Sequence, residues 1–230
     1  MTSTQTYLLL HGGGGAATMT KFAGLLADRT GAQVLAPVHP GFGGTPKPVE
    51  LTGVASLAQY YVAMLDERDL TDVTVLGNSF GGWLAAEIAL LASPRVTAVA
   101  IVNGVGVEID GHPVTDIRGF TLAEIQAHSW HDPSKAPAPG TGPSPDVQAL
   151  IGYTGPSMAD PTLLGRLAGV RVPALVVWGA ADRIVDVDYG RAYAAAIPEA
   201  RFVLLPGTGH VPQLETPEAL LAALSGFVTA

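Results

Sequence analysis

This chain of 230 residues reads as an α/β protein with a mostly parallel sheet of about six strands, helices on both faces and a short lid insertion, and three features predict it. Short apolar runs alternate with segments whose apolar residues recur every three or four positions. The short runs show little alternation, the pattern of strands covered on both faces. Their strand–helix–strand order implies parallel neighbours joined by right-handed crossovers.

The first strand is expected over residues 7–10, followed by glycines and a helix over 20–28, and the second strand over 33–36. A helix over 51–67 follows from Leu51, Val54, Leu57, Ala58, Tyr61, Met64 and Leu65 at three- and four-residue steps. The third strand, 73–76, stops at a Gly-x-Ser-x-Gly turn before a helix over 80–91. Strands over 98–102, 174–178 and 202–205 complete the set, with helices over 188–196 and 216–228. From 107 to about 164 the rhythm breaks: Pro133, Pro137, Pro139, Pro143 and Pro145 crowd its middle, and 121–128 is at best a short helix. A strandless insertion of this length serves as a lid or binding loop. The expected organisation is a core of residues 1–106 and 165–230 carrying a lid or cap of residues 107–164.

With 48% hydrophobic and 14% charged residues, the chain can bury a large core. Its net charge of −8 argues against a nucleic acid or an anionic membrane surface as partner. The absence of cysteine excludes disulfides, thiolate catalysis and Cys-based zinc or iron–sulfur sites. The opening Met-Thr-Ser-Thr-Gln-Thr has no basic and apolar signal pattern, and no apolar run approaches the ~18 residues a membrane span requires. These features predict a cytoplasmic protein that acts on a small molecule.

Ligands of open parallel sheets bind beyond the carboxyl ends of the strands. There the sequence places His11-Gly12-Gly13-Gly14-Gly15, the loop from Pro37 to Gly44, Ser79, the turn from Gly179 to Asp186, and Gly207-Thr208-Gly209-His210. In a chain with 28 glycines, Gly-x-Ser-x-Gly is a weak pattern alone, and Ser79 could be no more than a helix cap. The strand before it and the helix after it strengthen the pattern. A serine on such a turn exposes its hydroxyl beside the free amides of a helix N-terminus. Serine needs a neutral imidazole to take its proton, and the imidazole needs a carboxylate to fix its tautomer. Ser79, Asp182 and His210 occur in the order that a strand-to-helix elbow predicts. Asp186 and Asp188 are alternative acids, and Asp182 could be a plain turn residue.

On Leu8-Leu9-Leu10-His11-Gly12-Gly13-Gly14, His39-Pro40-Gly41-Phe42-Gly43, Gly77-Asn78-Ser79-Phe80-Gly81-Gly82, Gly179-x-x-Asp182 and Gly209-His210, the chain resembles the α/β-hydrolase superfamily over nearly its whole length. The resemblance implies Ser79 as nucleophile, His210 as base and then acid, and Asp182 as orienter. It also implies an oxyanion hole from the Phe80 N–H and that of Gly13, with Gly14 as the alternative. Gly-Asn-Ser-x-Gly-Gly and the downstream Gly-His-Val-Pro-Gln-Leu-Glu look like the carbon–carbon bond hydrolases of aromatic meta-cleavage pathways, and they occur in plain esterases as well. Those relatives have a longer lid and two further N-terminal strands, so a reduced sheet is expected here.

The remaining candidates are read more plainly. His11 is expected to brace the oxyanion loop and His39 to cap its neighbour. His112, His128 and His131 lack metal-ligand spacing, and no metal or cofactor is expected. The glycine run lacks the Gly-Lys-Ser/Thr ending of a P-loop and the ribose-binding acid of a dinucleotide site. Trp83 and Trp178 read as core. Phe42, Phe80 and Trp130 read as candidate pocket wall. The Pro- and Ala-rich lid predicts a mainly apolar substrate of modest size, for which a carboxylic ester is the first choice. Arg118, Lys135 and Arg166 are the lid-region cations able to hold the carboxylate of a meta-cleavage diketone. A non-catalytic ligand-binding member of the fold is the third alternative.

Overall fold

The computed structural model describes residues 5–138 and 145–228. Six parallel strands lie in the order β2-β1-β3-β4-β5-β6. They are β1 (Thr6–Leu10), β2 (Gln33–Leu35), β3 (Val73–Asn78), β4 (Val96–Val102), β5 (Ala174–Gly179) and β6 (Arg201–Leu205). Strands β1, β3 and β5 are buried along their whole length, as their continuous apolar runs require; β2 and β6 form the half-exposed edges.

Alternate residues of each strand feed two separate cores. Leu8, Leu10, Val75, Ile101, Val176 and Trp178 face α2 (Val54–Glu67), α3 (Phe80–Leu90) and α7 (Val187–Ala195). Tyr7, Leu9, Leu76, Ala100, Leu175 and Val177 face α1 (Ala17–Thr30) and α9 (Pro217–Val228). Each fully buried large side chain contributes about 1.5–3 kcal/mol. Helix α3 is apolar on every face but for Glu87 because it sits between the sheet and α2, buried from Phe80 through Ala89.

The β3–α3 turn explains its glycines. A Cβ on Gly77 would run into the carbonyl of Gly81, and one on Gly81 into that of Leu10. Only bare backbone lets the helix start this close to the strand ends.

Between β4 and β5 lie α4 (Leu122–Ser129), α5 (Pro145–Thr154) and α6 (Leu163–Arg166). The short helix expected at 121–128 is α4, opened by a capping box in which Thr121 Oγ1 accepts from the Glu124 amide. Helix α5 was not expected among the prolines, but Pro145 stands at its first position, where a missing N–H costs nothing. Pro139 and Pro143 lie outside the described residues. Helix α2 begins at Val54 rather than at 51: the chain is extended at Gly53, whose amide donates to Ser56 Oγ, and Leu51 is buried ahead of the helix. The strands that hold the site residues extend past the predicted runs, β3 through Gly77 to Asn78 and β5 to Gly179.

Candidate active site

Ser79 follows β3 directly and takes φ 57°, ψ −119°, a left-handed conformation uncommon for a residue with a side chain. The turn is held by the Ser79 amide donating to Val102 O at 3.0 Å and by the Gly82 amide donating to Ser79 O at 2.8 Å. Among the described residues, no hydrogen bond occupies the amides of Phe80, Gly13 or Gly14. Gly12 packs so closely on the turn that an added Cβ would lie 2.9 Å from Ser79 Cβ.

Asp182 lies in the turn after β5 with a fully buried side chain. Its Oδ1 accepts from the amides of Ile184 (2.8 Å) and Val185 (3.2 Å), and its Oδ2 accepts from His210 Nδ1 at 2.7 Å. That last bond leaves the Nε2 edge of His210 turned to the opposite side of the ring. Asp186 instead caps α7 through the Tyr189 amide and pairs with the half-buried His112; Asp188 sits in the first turn of α7.

A residue missed in the sequence completes the carboxylate's surroundings. Asn103, directly after β4, donates through Nδ2 to Asp182 Oδ2 and to Gly209 O (3.1 Å), and accepts from the Gly179 amide (3.2 Å). Its signal was positional: it follows a strand's carboxyl end, as each of the other site residues does. Asn78, the residue of the elbow before the serine, is a second support. Its Nδ2 donates to His210 O at 2.9 Å and to Val102 O at 3.2 Å.

The glycine loop rests on two buried histidines. The His39 amide donates to His11 Nε2 (3.1 Å), so the His11 proton is on Nδ1 and bonds Gly12 O (2.8 Å). His39 Nε2 donates to His11 O (3.0 Å), and its Nδ1 accepts from Tyr61 OH (2.6 Å). Both rings are neutral in this arrangement. Burial pushes the pKa of His11 down; burial and then the neighbouring His11 push that of His39 well below the ordinary value.

Ser79 and His210 open on one cavity of about 530 Å³. No hydrogen bond joins their side chains. The cavity is walled by Ile125 and Trp130 from α4 and its end, Leu150 from α5, and Met158, Ile184 and Val211. Among the described residues no Asp, Glu, Lys or Arg lines it, and residues 139–144 carry none in their sequence. Trp130 is on the wall; Phe42 is not. Phe42 is fully buried behind it, in a cluster of three mutually neighbouring rings with Phe80 (5.9 Å) and Tyr153 (6.4 Å). The Phe80 side chain is buried in the same cluster, and Trp83 and Trp178 are core.

Arg118, Lys135 and Arg166 are engaged elsewhere. Arg118 pairs with Asp116, Lys135 with Asp132, and Arg166 with Asp160 and the buried Glu87. Among the described residues, no cluster of His, Asp or Glu could hold a metal ion, and no helix is long and apolar enough to cross a membrane.

The sequence pattern of the alpha/beta hydrolase family matches residues 7–224. The chain is 26% identical over 255 aligned positions to the dihydrolipoyllysine-residue acetyltransferase component of the acetoin cleaving system of Pseudomonas putida; the match covers 96% of this chain and 62% of that relative. It therefore spans less than two thirds of that relative's length. It is 25% identical to the 2-hydroxy-6-oxo-6-(2'-aminophenyl)hexa-2,4-dienoic acid hydrolase of Metapseudomonas resinovorans, covering 98% of this chain and 84% of the other. Among solved structures, a bromoperoxidase from Bacillus anthracis superposes with a TM-score of 0.81 at 19% identity, covering 99% of this chain and 93% of that one.

Proposed function

Because the chain belongs to the alpha/beta hydrolase family, we propose that it is a serine hydrolase of neutral, mainly apolar carboxylic esters. Ser79 Oγ attacks the ester carbonyl while His210 Nε2 takes the hydroxyl proton, and the Asp182 carboxylate holds the imidazole through Nδ1. The oxyanion is held by the amides of Phe80 and Gly13, with Gly14 as the alternative; both glycines line the cavity onto which Ser79 opens. Collapse expels the alcohol with the proton from His210 and leaves an acyl-Ser79. Water, deprotonated by His210, then attacks the acyl carbon and releases the acid and the free serine. Residues 107–164, within the β4–β5 connection, serve as the lid that walls the cavity.

The observation that carries this reading is the Asp182–His210 pair opening on the same apolar cavity as the Ser79 turn. Replacing Ser79 by Ala should abolish hydrolysis of p-nitrophenyl butyrate and labelling by a fluorophosphonate. Undiminished turnover in that variant would refute the assignment, and failure of the native chain to label would favour a ligand-binding role. The carbon–carbon hydrolase reading requires a cation for a substrate carboxylate. Among the described residues the cavity wall supplies none, so neutral esters are the better fit.

A further inference from the structure

Resting on the assignment of His210 as base, we propose that Glu215 is a positioning residue that fastens the lid to the loop carrying His210, so that the cavity wall and the base are set together. Amides from two distant segments converge on this one carboxylate. Gly209 donates to Oε2 at 2.6 Å, His131 to Oε2 at 3.2 Å, and Asp132 to Oε1 at 3.0 Å. An ionised carboxylate can accept all three at once, and bonds to a charged acceptor are about twice as strong as neutral ones. Without it, three N–H dipoles would face one another across a seam with no acceptor.

The seam is close-packed. The His210 amide donates to Ser129 O at 2.6 Å, and a Cβ on Gly209 would strike that carbonyl. On its other side the His210 carbonyl is held by Asn78, which in turn accepts from Gln213 Nε2 at 3.0 Å. Gln213 and Glu215 both belong to α8 (Pro212–Glu215), the single turn that follows the histidine. The acid's turn grips the same end of the lid helix, because Arg183 donates from Nη1 to Ala127 O at 2.7 Å and from its amide to His128 O at 3.3 Å. Trp130, on the cavity wall, lies in the middle of the fastened segment. A substrate that presses on this wall therefore acts on the peptide that sets His210.

The test is Glu215→Gln, whose carboxamide turns an N–H toward the converging amides. Two quantities separate positioning from bulk stability: the second-order rate constant for fluorophosphonate capture of Ser79, and the final labelled fraction. A misfolded population that does not exchange with the native fold lowers the fraction and leaves the rate constant alone. We expect the rate constant, and kcat for p-nitrophenyl acetate, to fall by about 10²-fold, with KM little changed. Gly209→Ala, which forces the seam apart with Glu215 in place, should produce the same loss. Glu215→Asp, which keeps a shortened carboxylate, should fall between. Rate constants at the native level, with only the labelled fraction or the urea midpoint reduced, would overturn the proposal. If Glu215→Gln does not fold, the Asp variant decides by the same criterion. A native chain that does not label at Ser79 removes the assignment beneath the proposal, a failure seen without any variant.

Discussion

Lowering the pH should unfold this protein through His11 and His39. Both rings are buried and neutral, and both nitrogens of each are committed. A proton added to His11 Nε2 would meet the His39 amide donor. The ring centroids are 3.8 Å apart, so two charges cannot be held there together. The native pKa values lie below the usual 6.5, which the unfolded chain recovers. Above pH 6.5 both states are neutral at these residues and no stability difference arises. Below it the unfolded chain gains protons that the native state does not, and stability is lost as pH falls. At pH 5.5 the unfolded histidines are largely protonated while the buried native rings resist the proton, so stability falls by an amount on the order of 1–2 kcal/mol. Urea unfolding at pH 7.5 and 5.5 measures the difference. His39→Gln should remove at least half of the slope. The half-buried His112 works in the opposite direction: its bond to Asp186 raises its pKa, so its contribution is present below pH 6.5 and fades as pH rises. A stability that stays constant between the two pH values, or a slope that survives His39→Gln, would refute the reasoning.

Two further outcomes follow from buried polar groups. Asn103→Ala removes a donor from the buried Asp182 carboxylate and the partners of Gly209 O and Gly179 N; it should cost about 3–4 kcal/mol in urea unfolding and lower kcat more than it changes KM, whereas a native kcat would show that Asn103 does not orient the acid. Arg166→Met leaves the Glu87 carboxylate buried without its cation and should destabilise by about 3 kcal/mol, with much of the loss recovered when Glu87→Leu is added; additive losses would contradict this account.

The inner strands β1, β3 and β5 were legible because they are buried along their whole length, so apolar composition alone marks them. Their ends were less legible. Gly77, Asn78 and Gly179 belong to strands by pairing rather than by hydrophobicity. The gathering of Ser79, Asp182 and His210 at one edge followed from chain order and strand ends, which are local features. Asn103 and Glu215 act through partners about 80 residues away in sequence, and nothing local announces such contacts. Phe42 shows the opposite limit: an aromatic residue in a loop beside the site carries no mark that distinguishes wall from support. Helix α5 was hidden by prolines that favour a loop reading until one of them is seen at a helix start.

The neck of the β4–β5 connection has a consequence for how substrate range can change. Near its ends the chain meets itself, where Gly106 bridges Ala159 and the Asp160 amide donates to Gly106 O at 2.7 Å. Arg166 then ties this return to Glu87 of α3. The entropy of closing the intervening loop is settled at that neck and grows only slowly with loop length, by about 0.6 kcal/mol per doubling. Segments of different length and composition can therefore be exchanged above the neck with little effect on the stability of the sheet. Such an exchange must keep a peptide carbonyl for His210 and two amides for Glu215, a demand on backbone rather than on side-chain identity.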